Sequence, residues 1–279
     1  MIQVGGILEE THFPLGGCIE WDGAVGLFSV AIPLEIIMNI KHPVAMWGRI
    51  QRCWLVSYRA PREEVAARLP EPLQPVTKEG FGFYNVVICQ IHKMRPWPLP
   101  PWCGFSYWHV AYRIQAQFQS LDGSWVQGLY FLRSDCDLAW LVPLGNFCSD
   151  FRFHQARILC EEGGGSTRIE VKSPGASMCV DIPNREPRKP VAGSPFASVE
   201  EAARFLKYQP RGLGEPRGGC CASVADTSEG GGMEILRERA ADRSNGILEG
   251  SKAVPELCTQ VEAIDYVWGR AEMLASAPR

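Results

Sequence analysis

Alternation of apolar and polar residues is strongest over residues 106–119, SYWHVAYRIQAQFQ. Trp108, Val110, Tyr112, Ile114, Ala116 and Phe118 fall on one face. Tyr107, His109, Ala111, Arg113, Gln115, Gln117 and Gln119 fall on the other, the two-residue period of a strand. Asp122-Gly123 tolerates a positive φ, so residues 125–133 (WVQGLYFLR) are expected to return as an antiparallel partner. Residues 135–147 are apolar without alternation and predict a helix crossing the sheet. Residues 153–160 (FHQARILC) predict a further strand.

Upstream, residues 50–59 and 81–93 (FGFYNVVICQIHK) have strand patterns. Between them, 62–69 (REEVAARL) follows Pro61 and carries acidic residues in its first turn, as a short helix would, and Pro70, Pro72 and Pro75 end it. Residues 95–103 (RPWPLPPWC) hold too many prolines to pair inside a sheet and predict a rigid connection. Downstream, 161–166 (EEGGGS) is a turn leading into strands at 167–172 and 178–182. Ser198 and Glu201 form a capping-box pattern for a helix through Lys207. Residues 210–232 are rich in glycine and small residues and read as a flexible segment, and 260–274 as a last ordered piece.

Composition narrows the function classes. The chain has 279 residues, 46% hydrophobic and 21% charged, enough for a large core. A formal net charge of −3 supplies no basic field, so no nucleic acid is expected as a partner. The 11 cysteines are an odd number without a C-x-x-C pair, which suits reduced, buried thiols in a cytoplasmic protein. Residues 23–40 are nearly apolar but contain Pro33 and Glu35, and a carboxylate at mid-bilayer costs about 2.5–3.5 kcal/mol, so a membrane span is not expected. The five histidines are too dispersed for a metal site, no glycine-rich phosphate loop follows a strand, and no cofactor is expected.

In order and spacing, YRAPREEVAARLPEPLQP, FGFYNVVICQIHKMRP, FSYWHVAYRI, GLYFLRSD and FHQARI resemble the YqjF-like family of the acetoacetate decarboxylase superfamily. The resemblance covers about residues 52–208. It implies a β-rich α+β fold, an antiparallel closed or cone-shaped β-barrel with peripheral helices and an interior cavity. Residues 1–45 would be an N-terminal extension, 46–208 the barrel domain, and 209–279 a segment completing the same domain. The superfamily's decarboxylases use a Schiff-base lysine beside a second lysine. That pair should fall near residues 151–155, where this chain reads FRFHQ, and no lysine occurs between Lys93 and Lys172. The family's Glu-x-Asn-x-Arg pattern aligns to Tyr107, His109 and Ala111, which lack both charged members.

The candidate site follows. His154 matches the family's histidine and is the candidate catalytic acid or base, with a structural histidine as the alternative. His109, Tyr107, Arg133 and Tyr130 are candidate substrate-binding residues. Arg133 or Arg157 would clamp a carboxylate, and otherwise they are surface arginines. Arg113, Gln115, Gln117 and Gln119 are expected to meet water, with lining of the cavity as the alternative. Asp135 and Asp137, flanking Cys136, are expected to cap the following helix. The resulting expectation is an internal pocket for a carboxylate or carbonyl metabolite, without standard decarboxylase chemistry. A non-catalytic binder or an interaction protein on the same fold is the alternative, and the oligomeric state stays open.

Overall fold

A computed structural model describes residues 42–206, 211–215, 220–226, 234–237, 241–261 and 263–275. The apolar segment 23–40 lies outside them. Among the described residues no helix is long and apolar enough to cross a membrane.

The chain opens with β1 (Met46–Pro61), α1 (Arg62–Ala66), β2 (Gln74–Pro75), β3 (Thr77–Lys78) and β4 (Phe81–Pro96). The proline-rich connection, with a 3-10 turn at Pro101–Cys103, leads to β5 (Phe105–Gln119) and β6 (Trp125–Cys136). Next come α2 (Leu141–Cys148), β7 (Phe153–Gln155), β8 (Arg157–Gly163), β9 (Ser166–Lys172), β10 (Met178–Pro183) and α3 (Val199–Leu206). The last described elements are β11 (Arg211–Leu213), β12 (Cys220–Asp226), β13 (Glu234–Arg237), β14 (Ala241–Asn245), β15 (Val254–Val261) and β16 (Ile264–Ala275).

Twelve strands form a large mixed sheet in the order β13-β15-β1-β16-β12-β11-β6-β5-β4-β3, with β2 on β5 and β7 on β6. Strand β1 pairs with β4 along nearly its whole length. Its other edge is shared, with β16 over Met46–Ile50 and β15 over Cys53–Arg59. A second sheet runs β14-β10-β9-β8.

The expected hairpin is present. Strand β5 pairs antiparallel with β6, and Gly123 takes φ +84° in the turn, which a residue with a Cβ would adopt only under strain. Capping of α3 also matches, since the Glu201 amide donates to Ser198 Oγ at 3.1 Å. Its expected end at Lys207 lies outside the described residues.

Three expectations need correction. Residues 153–160 are not one strand: β7 pairs parallel with β6, whereas β8 belongs to the second sheet. The helix after β6 begins only at Leu141, so neither Asp135 nor Asp137 caps it. Asp137 accepts the Trp108 amide instead, at 2.8 Å. Within 210–232 most of the described residues form β11 and β12, which pair with each other and continue the large sheet.

Strand β5 is buried on both faces. Val110, Tyr112, Ile114, Ala116 and Phe118 pack with Ile169, Val171, Val180 and Ile182 of the second sheet. Tyr107 and Ala111 face a separate cluster containing Phe131, Phe151, Phe153 and Tyr266. Arg113 and Gln115, expected in water, are both 3% exposed.

Candidate functional site

The second cluster surrounds a cavity of about 500 Å³. Alternation along β5 points Tyr107, His109, Ala111 and Arg113 into it. Strands β1 and β4 add Ile50, Leu55, Val87 and Ile91, while β16 adds Tyr266 and Trp268. Helix α2 covers one side, held close by Gly145: a Cβ there would stand 2.5 Å from Cδ2 of Phe153. Trp140 and Leu144 line the cavity while half exposed, marking its mouth, and Trp140 meets the Phe105 ring edge-on at 4.8 Å.

Arg113 is placed by a row of residues in register across four strands, Ser57 on β1, Asn85 on β4, Arg113 on β5 and Phe131 on β6. Its Nη2 donates to Asn85 Oδ1 at 2.5 Å, and the Asn85 amide reaches Ser57 Oγ at 3.4 Å. The guanidinium also lies 5.7 Å from the Phe131 ring centroid, a cation–π contact. Among the described lining residues Arg113 is the only arginine, lysine, aspartate or glutamate. Asn85 interrupts the apolar run FGFYNVVIC, and that polar residue is the sequence signal for this row.

His109 lies four residues earlier on the same face, 8% exposed, its ring 5.4 Å from that of Phe153. Burial, with the Arg113 charge as the smaller cause, holds its pKa down to about 3. The imidazole is therefore neutral, and its buried Nε2 has no hydrogen-bond partner among the described residues. Beside it, burial pushes the Tyr107 hydroxyl well above its ordinary range, so it too is neutral.

The other sequence-predicted residues sit elsewhere. His154 is exposed and outside the cavity lining, with Nδ1 2.8 Å from the Arg152 carbonyl. The break between β7 and β8 explains why: Phe153 enters the cavity, Ala156 and Ile158 join the inter-sheet core, and alternation does not carry across. Arg157 is exposed. Arg133 is buried but turned away, donating to Asp135 Oδ1 at 2.8 Å and Ser173 Oγ at 2.6 Å. The cause is a β-bulge: Arg113 pairs with Phe131 and Tyr112 with Arg133, leaving Leu132 surplus. Arg133 thus shares the face of Tyr112. Tyr130 also faces away, donating to Glu215 Oε2 at 2.7 Å and accepting from Arg152 at 2.8 Å. Burial raises Cys136 to about 11, which leaves no thiolate for nucleophilic chemistry near neutral pH.

A family profile, DUF2071, described as "Uncharacterized conserved protein (COG2071)", matches residues 48–211, more than half of the chain. No curated protein matches by sequence. Several solved structures share the fold. An acetoacetate decarboxylase-like enzyme from Sphingomonas wittichii RW1 is 14% identical with a TM-score of 0.56, covering 85% of this chain and 95% of that one. Acetoacetate decarboxylase from Legionella pneumophila is 10% identical at 0.57, covering 85% and 90%. The enduracididine biosynthesis enzyme MppR, complexed with pyruvate, is 11% identical at 0.54, covering 91% and 99%. At these identities the likeness establishes a fold.

Proposed function

The chain belongs to the DUF2071 family of uncharacterized conserved proteins, and from that premise we propose that its cavity binds a small-molecule carboxylate. The observation that carries this reading is Arg113, the one arginine, lysine, aspartate or glutamate among the described lining residues of a mostly apolar cavity. A guanidinium presents a planar fork that matches a carboxylate, and attraction between opposite charges grows as water is excluded. Neutral His109 offers a second polar contact through Nε2, and Tyr107 a third. The MppR complex with pyruvate supports the same ligand chemistry on this fold.

In this reading the pairings of β1 with β4 and β16 close the sheet into a barrel, and the described residues from 46 to 275 make one domain around the cavity. Among the described residues no lysine lines the cavity. The described lining offers no amine for an imine with a keto acid, and Schiff-base decarboxylation is not the activity we assign. His109, with its buried Nε2, and not His154, is the histidine of β5–β8 that would touch a ligand, and His42 also lines the cavity.

Native mass spectrometry of the protein purified from its own host tests the proposal. A stoichiometric acidic small molecule is expected on the wild type and absent from Arg113→Met, which keeps side-chain bulk and removes the charge. Removing one partner of a buried charge pair costs about 2–5 kcal/mol, roughly 30-fold or more in affinity. A neutral or cationic ligand, or one retained equally by the variant, would overturn it.

A further inference from the structure

We infer that the ligand is a hydrophobic monocarboxylic acid, one whose alkyl or aryl body is much larger than that of pyruvate. This rests on the carboxylate reading above and adds size and polarity to it. Along β5 the cavity runs from Arg113 past Ala111 and His109 to Tyr107, and Phe105 meets Trp140 at the mouth. The step from Arg113 to His109 alone spans about 13 Å of strand. Between them Ala111 leaves the floor open, since its side chain is a single methyl.

The walls decide what fills that length. Ile50, Leu55, Val87 and Ile91 stand on one side, Phe151 and Trp268 on another. Water takes about 30 Å³ per molecule in the liquid and needs two to four polar partners when enclosed. A three-carbon acid at Arg113 would leave most of a cavity of about 500 Å³ to water against hydrocarbon. An apolar chain extending from the carboxylate toward the mouth replaces that water and buries both surfaces.

Calorimetric titration with acetate, butanoate, hexanoate, octanoate and 3-phenylpropanoate tests this on the full chain. Affinity should rise about fourfold per methylene through octanoate, 3-phenylpropanoate should bind far more tightly than acetate, and Ala111→Leu should move the optimum to shorter acids. Affinity that is flat with length or greatest for acetate, yet lost in Arg113→Met, overturns the size inference and leaves the carboxylate site standing. Affinities for every acid that are the same in Arg113→Met as in the wild type overturn the carboxylate reading and this inference with it. Comparison of octanoate with 1-octanol on the wild type asks the same question without a variant: equal affinity overturns both.

Discussion

His109 is neutral because of where it sits, and this makes it a source of pH dependence. Its pKa falls from the ordinary 6.5 to about 3 on folding, so below pH 6.5 the unfolded chain binds a proton that the folded one does not. The stability it contributes is complete above pH 6.5 and is lost as pH falls from there toward 3. Denaturant titrations of wild type and His109→Gln should diverge over that window. The wild-type curve should fall more steeply with acid, by up to about 1.4 kcal/mol per pH unit. The same scale shows what sequence could not supply. Alternation placed Tyr107, His109 and Arg113 on one face, but a strand facing water and a strand facing an enclosed cavity have the same period. Arg113 is buried, and not in water, for a reason outside the strand itself.

Among the elements, the β5–β6 hairpin, the short helix α1 and the cap of α3 were legible because each depends on residues close in sequence. The position of Arg133 depends on one surplus residue in β6, which composition does not announce. The position of His154 depends on the chain leaving one sheet for another. Both corrections come from strand partners. The buried ion pair that holds Arg133 should reveal itself in stability: Asp135→Ala leaves the guanidinium without its carboxylate and is expected to cost about 3–5 kcal/mol in urea unfolding. Exposed Arg49, whose partner Asp265 is also exposed, should lose less than about 1 kcal/mol on change to alanine. Packing of α2 gives a third expectation. Alanine in place of Gly145 gains about 1 kcal/mol in helix propensity, yet its Cβ drives into the buried Phe153 ring. Overpacking of that kind costs about 1–3 kcal/mol, so Gly145→Ala should unfold at lower urea than the wild type.

Across the whole molecule β1 is the strand on which distant parts of the chain meet. Arg59 donates to Glu256 of β15 in a buried pair, and Ser194 donates to the same carboxylate at 2.5 Å. Glu256→Ala should cost about 3–5 kcal/mol by calorimetry, whereas loss of a surface carboxylate would not. Met46 pairs with Trp268, and Cys53 with Val261, so these contacts close very long loops. On the ribosome β1, β4, β5 and β6 are made before β15 and β16. Tyr266 and Trp268, which complete the cavity wall, come out more than a hundred residues after Arg113 has found Asn85. A nascent chain halted before β15 carries Arg113 and His109 but lacks the wall that Tyr266 and Trp268 supply. Of the described elements that wall the chamber, β16 is the last to be made.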